Sequence, residues 1–327
     1  MTRSLNHILL LLLVLSAPAI LNAQSGDGIL AGSFLRMGLG ARALGMGGAF
    51  TAVADGPTTG YYNPGGAPFI EKREIMASYR FLSLDRHFNY IGFAQNISPK
   101  IEDDSDEKAF NGGLILSWIY AGTDNIDGRG YNGQHTTDFS NGEHAFSLTF
   151  GISPVEFIGI GITGKYLYNR FPKIKEDDSA LTEKSLGIDL GILIRPLDFL
   201  SLGFMIKDMN AKYDWKTDEV YEKDIDKIDY FPKTYRGGIA VTYPYSWLTF
   251  ALDVEKNEEQ DEKIHIGLEA IPAQQFAVRV GLNDGNFAGG LGYNFSMFNR
   301  SSQILYAIVT KNYDVASEHV FSWIFEF

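Results

Sequence analysis

From Glu71 onward, large apolar residues alternate with small or polar ones. Ile158, Ile160 and Ile162 alternate with Gly159 and Gly161, and Leu186, Ile188, Leu190 and Ile192 with Gly187, Asp189 and Gly191. The same parity runs through Leu200–Ile206, Leu248–Val254, Ile264–Leu268 and Phe276–Leu282. Side chains of a strand point alternately to its two faces, so each block predicts a strand with one apolar face and one small or polar face. Fourteen such strands are read, over 72–82, 87–97, 109–121, 143–152, 157–169, 184–194, 200–208, 233–243, 247–256, 263–271, 275–283, 286–296, 303–312 and 317–327.

A two-sheet sandwich also alternates, but its exposed faces carry many charges. Here the second face is mostly Gly, Ala, Ser and Thr, with isolated charges at Lys165, Asp189, Lys207, Arg236, Asp253, Glu269 and Arg279. A small, sparsely charged face suits a lumen that something else fills. Connections alternate between tight, Pro-marked ones (Ile152–Pro154, Arg195–Pro196, Tyr243–Tyr245, Ile271–Pro272) and longer ones (Thr123–Gly142, Phe171–Glu183, Met209–Pro232, Asn257–Glu262). Ser98–Lys108 is an exception, long and acidic on the tight-turn side. Short turns on one side, longer loops on the other and an even strand count are the marks of an outer-membrane barrel. The expected fold is therefore all-β, a transmembrane antiparallel barrel of about fourteen strands, located in a bacterial outer membrane.

Three segments are expected: a signal peptide over 1–23, a plug over 24–70 and the barrel over 71–327. Arg3, the apolar run Ile8–Leu15 and the small-residue exit Leu21-Asn22-Ala23 have the three-part form of a cleaved secretory signal. Residues 24–70 do not alternate. They are rich in glycine yet carry Phe34, Leu35, Met37, Leu44, Met46, Phe50 and Val53, which favours a compact plug over a disordered leader. Gly47, Gly48, Asn63, Pro64, Gly65 and Gly66 are the candidate gate residues. Gly38-x-Gly40-x-x-Ala43 matches a dinucleotide fingerprint by letters, but no strand precedes it and no acidic residue follows at the right distance.

Composition removes several chemistries. The chain of 327 residues has no Cys, which excludes disulfides, thiolate metal sites and Cys nucleophiles. A net charge of −12 argues against a duplex nucleic-acid partner. His87, His135, His144, His265 and His319 show no metal-ligand spacing, no Ser nucleophile elbow occurs, and the acidic runs read as solvated loops. No cofactor, metal site or enzymatic activity is expected.

In the final segment His319, Phe321, Trp323, Phe325 and Phe327 share one face. A terminal aromatic strand of this kind resembles the signal by which the barrel-assembly machinery of the outer membrane accepts its substrates. The string Gly40-Ala-Arg-Ala-Leu-Gly-Met-Gly-Gly-Ala-Phe-Thr-Ala-Val-Ala-Asp55, followed by Tyr61-Tyr62-Asn63-Pro64-Gly65-Gly66, resembles the N-terminal hallmark of the PorV/PorQ family, relatives of the FadL-type transporters. The resemblance continues in Lys165–Tyr168, Leu252–Glu255 and Val278–Leu282. It departs where Gly65-Gly66 replaces Ala-Gly, Tyr62 replaces Trp and Gly56 replaces an acidic residue. It implies a secretion-system component that binds or shuttles exported proteins; the alternative it carries is a FadL-like transporter of hydrophobic small molecules. Expected partners are outer-membrane lipids, the assembly machinery, and either secreted proteins or a hydrophobic small molecule. A transporter predicts a wide apolar lumen pocket lined by Leu193, Met205 or Trp247. A secretion partner predicts a lumen filled by polar pairs and ordered long loops at Thr123–Gly142 and Met209–Pro232.

Overall fold

The computed structural model describes residues 30–99, 110–171, 180–215, 227–311 and 316–327. The expected signal peptide, most of the acidic turn Ser98–Lys108 and the acidic runs Asp103–Glu107 and Glu176–Asp178 lie outside them. The strands are β1 Glu74–Phe81, β2 Arg86–Asn96, β3 Asn111–Arg129, β4 His135–Val155, β5 Ile158–Phe171, β6 Leu181–Leu197, β7 Leu200–Met209, β8 Lys212–Trp215, β9 Lys227–Tyr230, β10 Thr234–Val241, β11 Leu248–Asn257, β12 Lys263–Ala273, β13 Phe276–Asn283, β14 Asn286–Met297, β15 Arg300–Val309 and β16 Glu318–Glu326. All but β8 and β9 close into one antiparallel barrel of fourteen strands, in which each strand pairs with its neighbour in sequence. Closure comes from β1 against β16, with Glu74 opposite Glu326 and Phe81 opposite His319.

Period-two alternation sets the two faces of the wall. Along β5, Gly159, Gly161, Thr163, Lys165, Leu167 and Asn169 are buried, while Ile160, Ile162 and Tyr166 are exposed. Every exposed large residue of β6 from Leu186 to Ile192 points the same way. An outward coat of this extent would be an aggregation surface in water, because soluble monomers rarely expose contiguous apolar patches beyond a few hundred Å². In lipid it is the matching surface, and a closed barrel leaves no backbone group unpaired at an edge. No helix among the described residues is long and apolar enough to cross a membrane.

Aromatic side chains gather at both rims. On the long-loop side Trp118, Tyr120, His144 and Phe146 stack with ring centroids 5.0–6.4 Å apart. On the tight-turn side Phe325 and Phe327 stack at 6.2 Å, and Tyr245 and Trp247 at 5.2 Å. Such girdles place amphipathic rings at the headgroup level. The position of Trp247 corrects one expectation: it is 40% exposed in the Tyr243–Trp247 turn and does not line the lumen, because its indole belongs to this girdle. Phe321 and Trp323 lie on the outer face of β16, and Phe327, just past its end, is exposed as well.

Two expected loops hold strand structure. Pairing of β3 with β4 continues through Ile126 opposite Phe139 to Arg129 opposite His135, so Thr123–Gly142 is an extended ribbon. Neighbouring pairings stop at Thr123 on β2–β3 and Gly142 on β4–β5, so the ribbon stands roughly 20 Å beyond the wall at ~3.3 Å per residue. Met209–Pro232 contains the separate β8–β9 sheet, with Tyr213 opposite Asp229. Its buried aromatics Tyr213, Trp215 and neighbouring Phe231 fold over the inner segment rather than into solvent.

Candidate functional site

Residues 30–70 form short turns of helix: Ser33–Arg36, Ala41–Gly45, Gly56–Thr58, Thr59–Tyr62 and Pro64–Phe69. Glycine and proline interrupt them too often for a longer helix. Their apolar residues Phe34, Leu35, Leu39, Leu44, Met46, Phe50 and Tyr62 are buried against the inner face of the wall. Tyr62 donates its hydroxyl to the Leu39 carbonyl at 3.0 Å, and Tyr61 donates to the Leu35 carbonyl at 2.7 Å, which ties the two ends of the segment together.

The small inner face of the wall is what lets this backbone approach. A Cβ on Gly161 would sit 2.1 Å from the Pro64 carbonyl oxygen, and one on Gly281 would sit 2.2 Å from the Gly47 nitrogen. Gly47 itself has φ +64°, a conformation that favours glycine, and lies against the β13 backbone at Leu282. Gly48 lies against the His265 ring, and Gly65 against Ile192 and Leu193 of β6. Asn63 is fully buried: its amide donates to the carbonyls of Thr51 (2.9 Å) and Ile192 (3.0 Å), and its oxygen accepts from the Gly65 N–H (3.0 Å). Pro64 seats its carbonyl over Gly161, and Gly66 abuts the Ala54 carbonyl within the segment. Five of the six candidate gate residues thus sit in the seam between segment and wall, and Gly66 packs inside the segment.

The seven wall charges also lie inside, six of them in three groups and Lys207 by itself. Asp253 accepts from the Phe50 and Thr51 N–H groups, both at 2.9 Å, and pairs with Arg236 at 3.0 Å. Arg236 donates to the Gly48 carbonyl at 2.7 Å and lies 3.4 Å from Glu255. Glu269 pairs with Arg279 at 2.6 Å and is held by Arg42 of the segment through two bonds of 2.8 and 2.9 Å. Lys165 pairs with Asp189 at 2.7 Å and with Asp208. Lys207 stands apart from these pairs, donating to the Leu35 carbonyl at 3.3 Å with its ammonium 3.5 Å from the Tyr61 ring centroid. A buried ion pair contributes little net stability because desolvation offsets attraction, but breaking one is costly. These pairs therefore fix position more than they add stability.

Sequence reasoning left out several partners. Arg80 pairs with Glu318 across the β1–β16 closure and donates to the Met37 carbonyl at 2.6 Å. His265 contacts the Gly47 carbonyl at 3.0 Å. Inward parity was the available signal for all three. Asp127, His135 and Asp138 come together on the β3–β4 ribbon, the only place among the described residues where three His, Asp or Glu side chains bring their ligand atoms within 4.8 Å of one another. A β-bulge at Thr136 turns His135 onto the Asp127–Asp138 face. His135 binds Asp127 at 2.8 Å and Arg129 holds the other oxygen at 2.7 Å. The His135–Asp127 bond raises the imidazole pKa and lowers that of the carboxyl, the latter with help from Arg129.

Cavities divide between interior and wall. A pocket of about 10 Å³, room for one water, is lined by Leu35, Tyr61, Thr163 and Lys207 and by the wall residues Ser117, Ser147 and Lys165. Outside, an apolar groove of about 720 Å³ is lined by Trp118, Phe146, Leu148, Leu186 and the same Ser117, Ser147 and Lys165. Its floor is open because Gly164 points outward with nothing within 4 Å of a Cβ position. At the tight-turn mouth a polar vestibule of about 840 Å³ opens beside Asp55, Glu74 and Arg195.

No protein-family description matches the chain, and no curated protein matches it. Solved structures do. The monoaromatic hydrocarbon channel CymD superposes with a TM-score of 0.60 at 10% identity, over 88% of this chain and 97% of CymD. The likeness is one of fold. The toluene transporter TbuX of Ralstonia pickettii gives 0.56 at 11% identity, over 89% of this chain and 98% of TbuX. A FadL homologue of Pseudomonas aeruginosa gives 0.57 at 11% identity, covering 88% and 97%. The chain thus shares the architecture of outer-membrane transport barrels across nearly its whole described length.

Proposed function

We propose that this protein is an outer-membrane channel for hydrophobic small molecules, with residues 30–70 as its plug. Two things support the reading over a secretion role: the fold is that of hydrocarbon channels, and the inner cavity and outer groove share a thin seam. That seam carries the proposal. Ser117, Ser147 and Lys165 line both spaces and are paired across β3, β4 and β5, so one layer of strand, with two serines and the ion-paired Lys165 on its inner face, separates the lumen from the lipid-facing groove. An apolar solute in the groove meets apolar walls on the outside and the Tyr61–Leu35 contact just inside. Displacement of the Gly47–Gly48 and Asn63–Gly66 contacts would open the way to the tight-turn vestibule. Export by the predicted signal peptide and insertion by the assembly machinery through Phe321, Trp323, Phe325 and Phe327 belong to the same proposal.

The test is uptake of a radiolabelled monoaromatic hydrocarbon by cells whose outer membrane contains the protein. Ser147→Trp fills the seam, and uptake is expected to fall to that of cells without the protein at equal surface level. Wild-type uptake no faster than those cells, or a variant as fast as wild type, defeats the proposal. The secretion reading keeps one specific observation in its favour: the lumen is filled by ion pairs, and neither Leu193 nor Met205 faces a wide pocket. Removal of the β3–β4 ribbon that blocks surface delivery of an exported protein would restore it.

A further inference from the structure

We infer that the long-loop end of the lumen holds a site for a hard divalent cation, with Ca²⁺ as the matching ion, built by Glu143, Asn169 and Glu183 beneath Tyr213. The three wall residues form one inward row across adjacent strands. Glu143 of β4 is opposite Asn169 of β5, and Asn169 is opposite Glu183 of β6. Adjacent strands are about 4.8 Å apart, so the two glutamates flank the central asparagine on its two sides. One such contact exists: the Asn169 amide donates to Glu143 at 3.2 Å. Neither glutamate has an ion-pair partner within 4 Å among the described residues.

Two further atoms point to a ligand. Asn169 is 5% exposed and Tyr213 is 2% exposed, yet the Asn169 carbonyl oxygen and the Tyr213 hydroxyl have no hydrogen-bond partner. Buried polar atoms are nearly always bonded, so each unpaired one asks for a missing partner. Tyr213 is brought over this row by β8, which docks on β6 where the Lys212 N–H donates to the Ser185 hydroxyl at 3.0 Å, two residues from Glu183. Its ring is held from above by Phe231 at 4.9 Å and Trp215 at 5.3 Å, so the β8–β9 sheet acts as the roof.

The donor set selects the ligand class. Two carboxylates, one amide carbonyl and one hydroxyl are all oxygen, with no sulfur or imidazole, and oxygen-only sets suit Ca²⁺ over transition metals. Among the described residues Arg36 is the positive group that acts on Glu143, and its two terminal nitrogens are taken by the Ala31 and Leu30 carbonyls. One positive charge against two carboxylates leaves the site negative. A bound cation would tie β4, β5, β6 and the roof together, independently of what the channel carries.

The full-length protein in detergent micelles, stripped with EDTA, is titrated with Tb³⁺ while Tyr and Trp are excited, since Tyr213 and Trp215 are placed to sensitise the ion. Saturable luminescence displaced by Ca²⁺ is expected. Glu143→Gln and Glu183→Gln should each weaken binding at least tenfold, and Glu258→Gln on an exposed turn should leave it unchanged. If the Gln variants fail to form a heat-resistant barrel, Asn169→Asp, which adds a third carboxylate, should tighten binding about tenfold. Absence of a saturable signal in the wild type, an unaltered titration in folded Gln variants, or no tightening with Asn169→Asp overturns the inference.

Discussion

Gly161 and Gly164 lie three residues apart on β5, one facing in and the other out, and alanine at each should have opposite effects. At Gly164 a methyl group meets nothing within 4 Å, so Gly164→Ala should stabilise by about 0.5–1 kcal/mol through lost chain entropy and better strand propensity. At Gly161 the same methyl would lie 2.1 Å from the Pro64 carbonyl oxygen and 2.3 Å from its carbon, where ordinary contact begins at 3.4 Å. The segment must retreat by more than an ångström, and it is pinned there by the Asn63 bonds to Thr51 and Ile192. Overpacking of this kind costs about 1–3 kcal/mol. Losing one or both Asn63 bonds adds about 1 kcal/mol each. Against a propensity gain of about 0.5–1 kcal/mol, steric cost wins, for a net of roughly 1–4 kcal/mol. Urea unfolding in micelles measures the difference, and amide exchange over Tyr61–Phe69 shows where it falls. Equal stability and equal exchange in the two variants would refute the close seat of the segment in the wall.

Asp253→Ala strips one partner from Arg236 and leaves the Phe50 and Thr51 N–H groups unpaired. Arg236 retains Glu255, so destabilisation should lie near the lower end of the 3–5 kcal/mol seen for broken buried pairs, with Asp253→Asn milder because it keeps an acceptor. Chemical denaturation in micelles reads both. The β3–β4 ribbon should depend on pH through its exposed pair. His135, raised by Asp127, contributes order that is full below its ordinary value of 6.5 and lost as pH rises through its folded value; Asp127, lowered by His135 and Arg129, contributes order that is present above 3.8 and lost as pH falls through its folded value. Amide exchange of Ile126–Asp138 should therefore be slowest between these limits, and Asp127→Asn should flatten the profile.

The wall was legible in the sequence because its two faces obey one simple rule, large outside and small inside. Each of the fourteen barrel strands lies within a few residues of its expected place, the ribbon apart. The ribbon was missed because Asn125, Gly128, Gly130 and Gly133 read as turn residues, while cross-strand pairing from the wall overrides local propensity. Trp247 was misplaced because an aromatic beside a proline turn carries no parity of its own. Inward parity identified the charged residues but not their partners. The Asp253 carboxylate meets the Phe50 and Thr51 amides across some two hundred positions of chain, a distance at which no local pattern speaks.

Closure of β1 on β16 has a consequence for how such a molecule is made. Residues 30–70 precede the wall in the chain, yet they end up surrounded by it, with carbonyls of Gly47, Gly48 and Pro64 resting on strands that come much later. A finished cylinder lined this tightly would have to be threaded. A sheet still open between its first and last strands can instead be rolled around the segment, each glycine-backed groove finding its ridge as the curve develops. In that order of events the segment would serve as the mandrel for the cylinder, and the Arg80–Glu318 pair would form across the seam as it closes.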